Sequence, residues 1–69
     1  MLKYRFNVFD ALQRKGYTIY KVQREKLLSA DTMQKLKKED TAISLKSLEV
    51  CCRLLDMQPK DIIFFDEEN

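Results

Sequence analysis

Several features on which catalytic and metal sites depend are missing from this chain. It has no histidine, no Cys-x-x-Cys pair, no glycine-rich phosphate loop and no pair of acidic residues at a spacing that indicates a shared site. Cys51 and Cys52 are adjacent, whereas the disulfide frameworks of small secreted domains usually need spaced sets of four or more cysteines. We therefore expect free thiols, no metal or other cofactor, no small-molecule pocket and no enzymatic activity.

Long apolar segments are also lacking. No apolar run approaches the roughly 18 residues needed to cross a bilayer, and the start, Met1 to Phe6, has no signal-peptide stretch. We expect a cytoplasmic protein with no membrane association. Its 69 residues, 45% of them hydrophobic, fit one domain with a modest core. A chain of this size buries only about 60% of the surface that its unfolded form exposes, so its stability is marginal unless it associates.

Charge is distributed unevenly along the chain. Residues 1–38 carry ten Lys or Arg against three Asp or Glu, a net charge of +7. Residues 39–69 carry three against eight, a net charge of −5, and the two halves give the overall +2. A cationic half attracts phosphate and releases counterions on binding. This pattern favours a polyanionic partner, although asymmetry of this size also occurs by chance on solvated surfaces.

Helix-start residues, together with the only glycine and the only proline, divide the chain into five helical segments. Side chains of the N-cap type precede four of them, proline suits the first turn of the fifth, and glycine suits a left-handed helix end. The residues concerned are Asn7, Thr18, Ser29, Ser44, Pro59 and Gly16. We expect helices at about 8–15, 18–26, 29–38 and 44–55, and a fifth of barely one turn.

The third segment has two different faces. Met33 and Leu36 point inward, while the opposite stripe is wholly polar. That stripe consists of Asp31, Gln34, Lys35 and Lys38.

The fourth segment is the expected main core helix. Its inward face follows a 3-4-3 spacing through Leu45, Leu48, Cys52 and Leu55. Cys51 and Cys52 point about 100° apart on one helix, so core filling is favoured over a redox pair.

The two ends of the chain resemble each other in composition. Residues 2–6 and 62–65 are short and rich in branched or aromatic side chains, which allows a small two-stranded pairing of the termini. Tyr4 is expected to pack across a helix junction, whereas Tyr20 suits either packing or a nucleic-acid contact.

The segment from Thr18 to Ile63 resembles the helix-turn-helix of Cro and phage repressors, the XRE family of bacterial and phage regulators. The match covers about two-thirds of the chain and runs without a gap through residues 18–22 and 29–36. It continues through Leu45, Leu48, Cys52, Leu55 and Ile62. The resemblance implies an all-α, compact five-helix repressor-like domain over residues 1–69, with the helix-turn-helix at about 18–37.

Three positions depart from the family pattern. Gln23 replaces a small residue, and Leu27 and Glu39 replace glycines in the turn and after the recognition helix. A leucine in the turn needs a negative φ or accepts strain of about 1 kcal/mol or more. We therefore expect a locally reshaped turn at Leu27.

The resemblance implies DNA contacts from two groups of residues. Base edges are contacted by Ala30, Asp31, Gln34 and Lys35, and phosphates lie near Thr18, Tyr20, Lys21, Ser29, Thr32 and Lys38. Side-chain chemistry agrees in part, because glutamine pairs with adenine, lysine reaches guanine O6 and N7, and aspartate accepts from cytosine N4. For Ala30 only a thymine methyl is available. Lys37 is expected on the solvated face instead.

Two hypotheses of different classes follow. The first is a sequence-specific transcriptional repressor that occupies an operator, with two copies on half-sites about 34 to 36 Å apart. The second is an antitoxin-like or adaptor module that keeps the fold and binds another polypeptide. The segment 62–65 is the one candidate for a dimer interface, or else a strand buried within the monomer.

Overall fold

The computed structural model describes residues 1–67, which form five helices closed by one pair of short strands. In chain order the elements are β1 (Leu2–Tyr4), α1 (Val8–Arg14), α2 (Ile19–Arg24), α3 (Ala30–Lys37), α4 (Leu45–Leu55), α5 (Pro59–Ile62) and β2 (Ile63–Phe65). The five-helix fold and the pairing of the termini are confirmed. Glu68 and Asn69, the last two residues of the chain, lie outside the described range.

Each of the first four helices begins at the N-cap that the sequence predicts. The side-chain oxygens of Asn7, Thr18, Ser29 and Ser44 accept hydrogen bonds from the backbone N–H three residues later, at 2.9, 3.2, 3.1 and 3.0 Å. Such a cap stabilises a helix by about 1 kcal/mol. α5 begins with Pro59, and there the Asp61 carboxylate accepts from the Gln58 N–H at 3.0 Å.

The same four helices also end alike. A left-handed residue follows the C-cap of α1, α2 and α3 and is itself the C-cap of α4. In each case the N–H of the next residue bonds back to the last turn of the helix, as in a Schellman motif. The left-handed residues are Gly16 (φ 90°), Lys26 (56°), Glu39 (60°) and Asp56 (57°). The return bonds are Tyr17 to Leu12, Leu27 to Val22, Asp40 to Lys35 and Met57 to Cys52, all between 2.8 and 3.0 Å. The predicted stop at Gly16 is confirmed.

The core draws on all five helices. Leu12 of α1, Met33 of α3 and Ile62 of α5 are fully enclosed. The remaining buried side chains are Val8, Val22, Leu28, Leu36, Leu48, Val50, Cys51 and Leu55. Because no single helix supplies this core, the arrangement of α2 and α3 depends on packing against α1, α4 and α5.

The expected inner face of α4 is partly wrong. Leu45 is 84% exposed, and the buried stripe runs through Leu48, Cys51 and Leu55, with Cys52 only half-buried. The two candidate stripes share Leu48 and Leu55 and differ by a rotation of about 50°. Both have helical periodicity, so only contact with the other helices selects between them. Both cysteines are free, and Cys51 fills the core.

The strands hold the two ends of the chain together. They are antiparallel, with Leu2 opposite Phe65, Lys3 opposite Phe64 and Tyr4 opposite Ile63. A backbone bond of 2.8 Å from the Asp66 N–H to the Met1 carbonyl continues the pairing. The segment 62–65 is therefore mainly intramolecular: Ile62 is buried and only Phe65 is largely exposed.

Candidate nucleic-acid interface

The unit formed by α2, the turn and α3 is attached to the molecule by its apolar side chains. Val22, Leu28, Met33 and Leu36 are buried, and Leu27 packs against them while partly exposed. These residues occupy the inner faces of both helices and of the turn. The outer faces of α2 and α3 are consequently left to solvent.

The turn is locally reshaped at Leu27, as the sequence predicts. Leu27 does not have a positive φ, and the left-handed residue is its neighbour Lys26. This placement lets the Leu27 N–H bond to the Val22 carbonyl at 2.9 Å while the Leu27 side chain packs against the core. Lys26 can take the strained position because its side chain is exposed and needs no fixed packing. The turn is thus reshaped by one residue, and the helix-turn-helix is retained.

Three of the four predicted base-edge residues share the open face of α3. Ala30, Asp31 and Gln34 are all exposed and occupy its first two turns. The spacing of i, i+1 and i+4 sets them on one side of the helix, opposite Met33 and Leu36. This face is unobstructed, and it carries one methyl group, one carboxylate and one amide.

Lys35, the fourth residue of that group, is directed along the surface instead. Its Nζ donates to the Ala42 carbonyl at 3.1 Å and lies 3.2 Å from the Asp31 carboxylate. The ammonium therefore joins α3 to the segment leading into α4. It also neutralises the one acidic side chain on the open face, which reduces the repulsion between that face and a polyanion.

The residues predicted to contact phosphates differ in their solvent exposure. Thr18, Tyr20, Ser29 and Lys38 are exposed, while Lys21 and Thr32 are partly buried. The Ser29 hydroxyl donates to the Thr32 hydroxyl at 2.9 Å and accepts from the Thr32 backbone N–H. The start of α3 is therefore rigidly built, with its hydroxyls already hydrogen-bonded and still open to solvent.

Two cations on α2 are positioned by tyrosine rings. The Lys21 Nζ lies 5.0 Å from the centre of the Tyr17 ring, and the Arg24 Cζ lies 5.4 Å from that of Tyr20. Cation–π contacts of this kind are worth about 0.5–1 kcal/mol at exposed sites. Tyr20 is 73% exposed, so its partner guanidinium also faces solvent.

Arg24 was not among the residues expected at the site. The signal that points to it is its i+4 spacing from Tyr20, which places the two side chains side by side on a helix. Only the structure shows that this pair lies on the outer face of α2, because the rotation of a six-residue helix with one buried residue is not determined by periodicity.

The end of α3 separates its two adjacent lysines. Lys38 is exposed at the C-cap, whereas the Lys37 ammonium lies 5.6 Å from the centre of the Phe9 ring of α1. Lys37 is thus directed towards α1, and within residues 1–67 the Lys38 ammonium at this end of α3 has no ion-pair or ring contact. Cations near a helix C-terminus are also favoured by the helix dipole.

Tyr4 lies outside this surface. Its hydroxyl donates to the Asp40 carbonyl at 2.8 Å. Burial, followed by the negative charges of Cys51, Asp40 and Glu39, raises the pKa of Tyr4 to about 12. The ring packs against the core, in agreement with the packing role expected for it.

Residues 1–67 offer neither a metal site nor a membrane-spanning helix. In that part of the chain no group of three or more His, Cys, Asp or Glu side chains is arranged to hold a metal ion. None of the helices there is long and apolar enough to span a membrane.

Comparison with known proteins gives one result. A family described as the Cro/C1-type HTH DNA-binding domain matches residues 10–68, which is most of the chain. Comparisons with curated proteins and with solved structures gave no significant match. The matched range begins within α1 and extends through β2, so it covers the surface formed by α2 and α3 and most of the helices that support it.

Proposed function

This chain belongs to the Cro/C1-type helix-turn-helix DNA-binding family, and we propose that it is a sequence-specific transcriptional repressor that places α3 in the major groove. The proposal rests mainly on the observation that α3 has one buried apolar face and one solvent-exposed face. Met33 and Leu36 fix it to the core, while Ala30, Asp31 and Gln34 leave its opposite side open. A major groove about 12 Å wide admits a helix presented in this way.

Base contacts are assigned by side-chain chemistry. Gln34 pairs with adenine through its amide, and Ala30 contacts a thymine methyl. Asp31 accepts from cytosine N4, and Lys35 reaches guanine when its bond to the Ala42 carbonyl opens. The competition between that bond and the base makes Lys35 the weakest of the four proposed contacts.

Phosphate contacts frame this face on two sides. Thr18, Tyr20, Lys21, Ser29 and Thr32 lie along α2 and the start of α3, and Lys38 lies at the far end of α3. Arg24, whose guanidinium lies over the Tyr20 ring, is a further phosphate contact in this proposal. Residues 14–38 carry eight Lys or Arg against two Asp or Glu, a net charge of +6, which attracts the DNA backbone independently of sequence.

The biological setting that we propose follows from these contacts. Residues 1–69 act as a single DNA-binding domain on the nucleoid in the cytoplasm, and the domain represses by occupying an operator. One such module reads only a few base pairs, so two copies bind half-sites one helical turn apart.

Selection of bound duplexes from a random pool tests this proposal. We expect enrichment of two inverted half-sites whose centres are about 34 to 36 Å apart. Affinity is expected to fall steeply with salt, with a slope near −0.9 for each phosphate neutralised. Absence of enrichment even at low salt would reject the repressor and favour the antitoxin-like or adaptor alternative, because polypeptide binding has no such requirement.

Two variants separate the proposed roles. Gln34→Ala is expected to relax preference at one base position by about 1–3 kcal/mol, because it removes a base-edge contact. Lys38→Ala is expected to weaken binding to all duplexes alike and to lower the salt slope by about 1. Titration of the selected duplex and of a scrambled one measures both effects. If both variants kept the affinity and selectivity of the wild type, α3 would not be the element in the groove.

A further inference from the structure

The connection between α3 and α4 is held in place by hydrogen bonds to a single residue, Asp40. Its backbone N–H donates to the Lys35 carbonyl at 2.8 Å, and its carbonyl accepts from the Tyr4 hydroxyl at 2.8 Å. Its carboxylate Oδ1 accepts from the Ala42 N–H at 2.9 Å. Since the Tyr4 ring packs against the core, these bonds fix the backbone around Ala42 relative to the rest of the molecule.

This fixed backbone in turn holds the side chain of Lys35. The Lys35 Nζ donates to the Ala42 carbonyl at 3.1 Å and lies 3.2 Å from Oδ2 of Asp31. An acidic residue four positions before a lysine is the favoured order of an ion pair on a helix. The Lys35 ammonium therefore links the connection to the open face of α3.

The two partners of this ion pair differ in how far they project from the protein. The side chain of Lys35 is 34% exposed, whereas that of Asp31 is 77% exposed. Lys35 engages Oδ2 of the carboxylate, and a carboxylate has enough lone pairs to accept from a base through Oδ1 at the same time. This arrangement suits Asp31 to contact a base and Lys35 to orient it.

We propose that Lys35 is a positioning residue for Asp31, and that Asp40, acting through Ala42 and Lys35, sets how strongly the protein prefers cytosine at the base opposite Asp31. The inference rests on the proposed function, in which α3 enters the major groove. It adds Asp40, which is not among the proposed DNA contacts, to the residues that control base preference. A contact residue reads a base selectively only when supporting hydrogen bonds hold its side chain in one orientation.

The geometry favours this role for Lys35 over direct contact with guanine. A direct contact requires the ammonium to leave both the Ala42 carbonyl and the Asp31 carboxylate. The carboxylate would then lie beside the DNA without a counter-charge, which is unfavourable near phosphates. Positioning needs no such rearrangement, because both contacts of the ammonium are present in the protein alone.

Base preference at a single position, measured by competition between duplexes, tests the proposal. Asp31→Ala identifies the position, because it removes the cytosine preference there. Lys35→Met is expected to lower that same preference about twofold to fivefold, since it keeps the apolar stem and removes the ammonium. In the Asp31→Ala background it should have no further effect at this position. The matched control is Lys37→Met, which removes one positive charge from the same helix and should leave the preference unchanged.

Asp40→Ala separates positioning from charge. It removes a negative charge and is expected to raise affinity for all duplexes, whereas Lys35→Met is expected to lower it. Both variants should nevertheless lower the cytosine preference, because Asp40→Ala releases the Ala42 N–H and loosens the connection. Glu39→Ala is the matched control, with the same change of charge at the neighbouring residue and no expected effect on the preference.

The carboxyl carbon of Asp31, observed by NMR in the protein without DNA, gives a second measurement. Its chemical shift should move in Lys35→Met and in Asp40→Ala and stay unchanged in the two control variants. The methyl resonances of the buried core in the same spectra show whether each variant is folded. A carboxyl shift that responds to neither substitution would overturn the proposal.

The role of Lys35 is also decided by which base position its substitution affects. If Lys35→Met lost a guanine preference at a second position and kept the cytosine preference, Lys35 would be a direct base contact and the proposal would be wrong. Equal preferences in Asp40→Ala and Glu39→Ala would remove Asp40 from the proposed role. If the wild type had no base preference at low salt while the Asp31 shift still responded to Lys35→Met, the pairing would stand and the repressor would be rejected.

Discussion

Three residues, Lys26, Glu39 and Asp56, have left-handed backbone conformations that glycine adopts without steric cost. Each follows a helix and is exposed. Side chains at such positions cost about 1 kcal/mol. The chain accepts this cost because the N–H of the next residue, at each of these positions, satisfies a carbonyl of the last helical turn.

Substitutions at these helix ends are expected to change the stability of the fold. Glu39→Gly is expected to stabilise the fold by about 0.5–1 kcal/mol, since it removes the Cβ that opposes positive φ. Gly16→Ala is the converse control. A Cβ at Gly16 meets no atom within 4 Å, so its cost of about 1 kcal/mol comes from the backbone alone. Urea unfolding measures both free energies, and equal stabilities for all three proteins would show that neither position is strained.

Among the single elements, α3 depends for its stability on its N-cap, Ser29, more than on its own length. It has only eight residues, and isolated helices of that length are marginal in water. The Ser29 hydroxyl closes its first turn through the Thr32 N–H, and burial of Met33 and Leu36 fixes its rotation. The open face of α3 is therefore a consequence of one cap and two apolar side chains.

Loss of the N-cap is expected to have different consequences at α3 and at α4. Ser29→Ala and Ser44→Ala each remove an N-cap and are expected to cost about 1 kcal/mol of stability. Only Ser29→Ala should also weaken binding of single chains to a random-sequence duplex, because Ser29 lies at the proposed phosphate contact and Ser44 does not. Thermal unfolding together with duplex titration separates the two effects. Equal DNA affinity in both variants would place the start of α3 away from the backbone.

The sequence of α4 alone does not determine which of its faces is buried. Its sequence fits two apolar stripes, one beginning at Leu45 and one running through Cys51. The stripe through Cys51 is buried because that face meets α1 and α5, and Leu45 is left exposed beside the strands. The periodicity of this segment therefore predicted a helix but did not determine which face of the helix is buried.

For the molecule as a whole, the contact between the termini and α4 encloses two groups with raised pKa values. Burial, and then the neighbouring Cys52, raises the pKa of Cys51 from its ordinary 9.0 to about 11. The pKa of Tyr4 is raised from 10.0 to about 12, chiefly by burial. Both groups are neutral at pH 7, and the folded state keeps their protons more tightly than the unfolded state does.

The stability of the protein is expected to fall at alkaline pH. Above about pH 9 the unfolded chain releases these protons first, so the free energy of unfolding should fall through the range from pH 9 to 12 and stay unaffected by them below it. Cys51, which is 1% exposed, accounts for on the order of 2 kcal/mol of this loss. Urea midpoints at stepped pH measure it. Cys51→Ala should flatten the slope between pH 9 and 11; a slope parallel to that of the wild type would contradict the assignment.

Local chemistry in the sequence determined the helix starts, the left-handed stop at Gly16 and the inner face of α3. Each depends on a cap, a backbone preference or a pair of apolar residues within one turn, and such interactions do not need the rest of the fold. The uneven charge and the resemblance in register pointed to the same surface for DNA.

Only the tertiary structure decided the features that depend on contacts between distant segments. The rotation of α4, the position of Arg24 beside Tyr20 on the outer face of α2 and the left-handed conformation of Lys26 in place of Leu27 are all fixed by packing. The meeting of Leu2, Leu45 and Phe65 depends on strands that are about sixty residues apart in the chain. The periodicity of a sequence describes each element separately. These positions depend instead on which apolar surfaces of different elements are buried against one another.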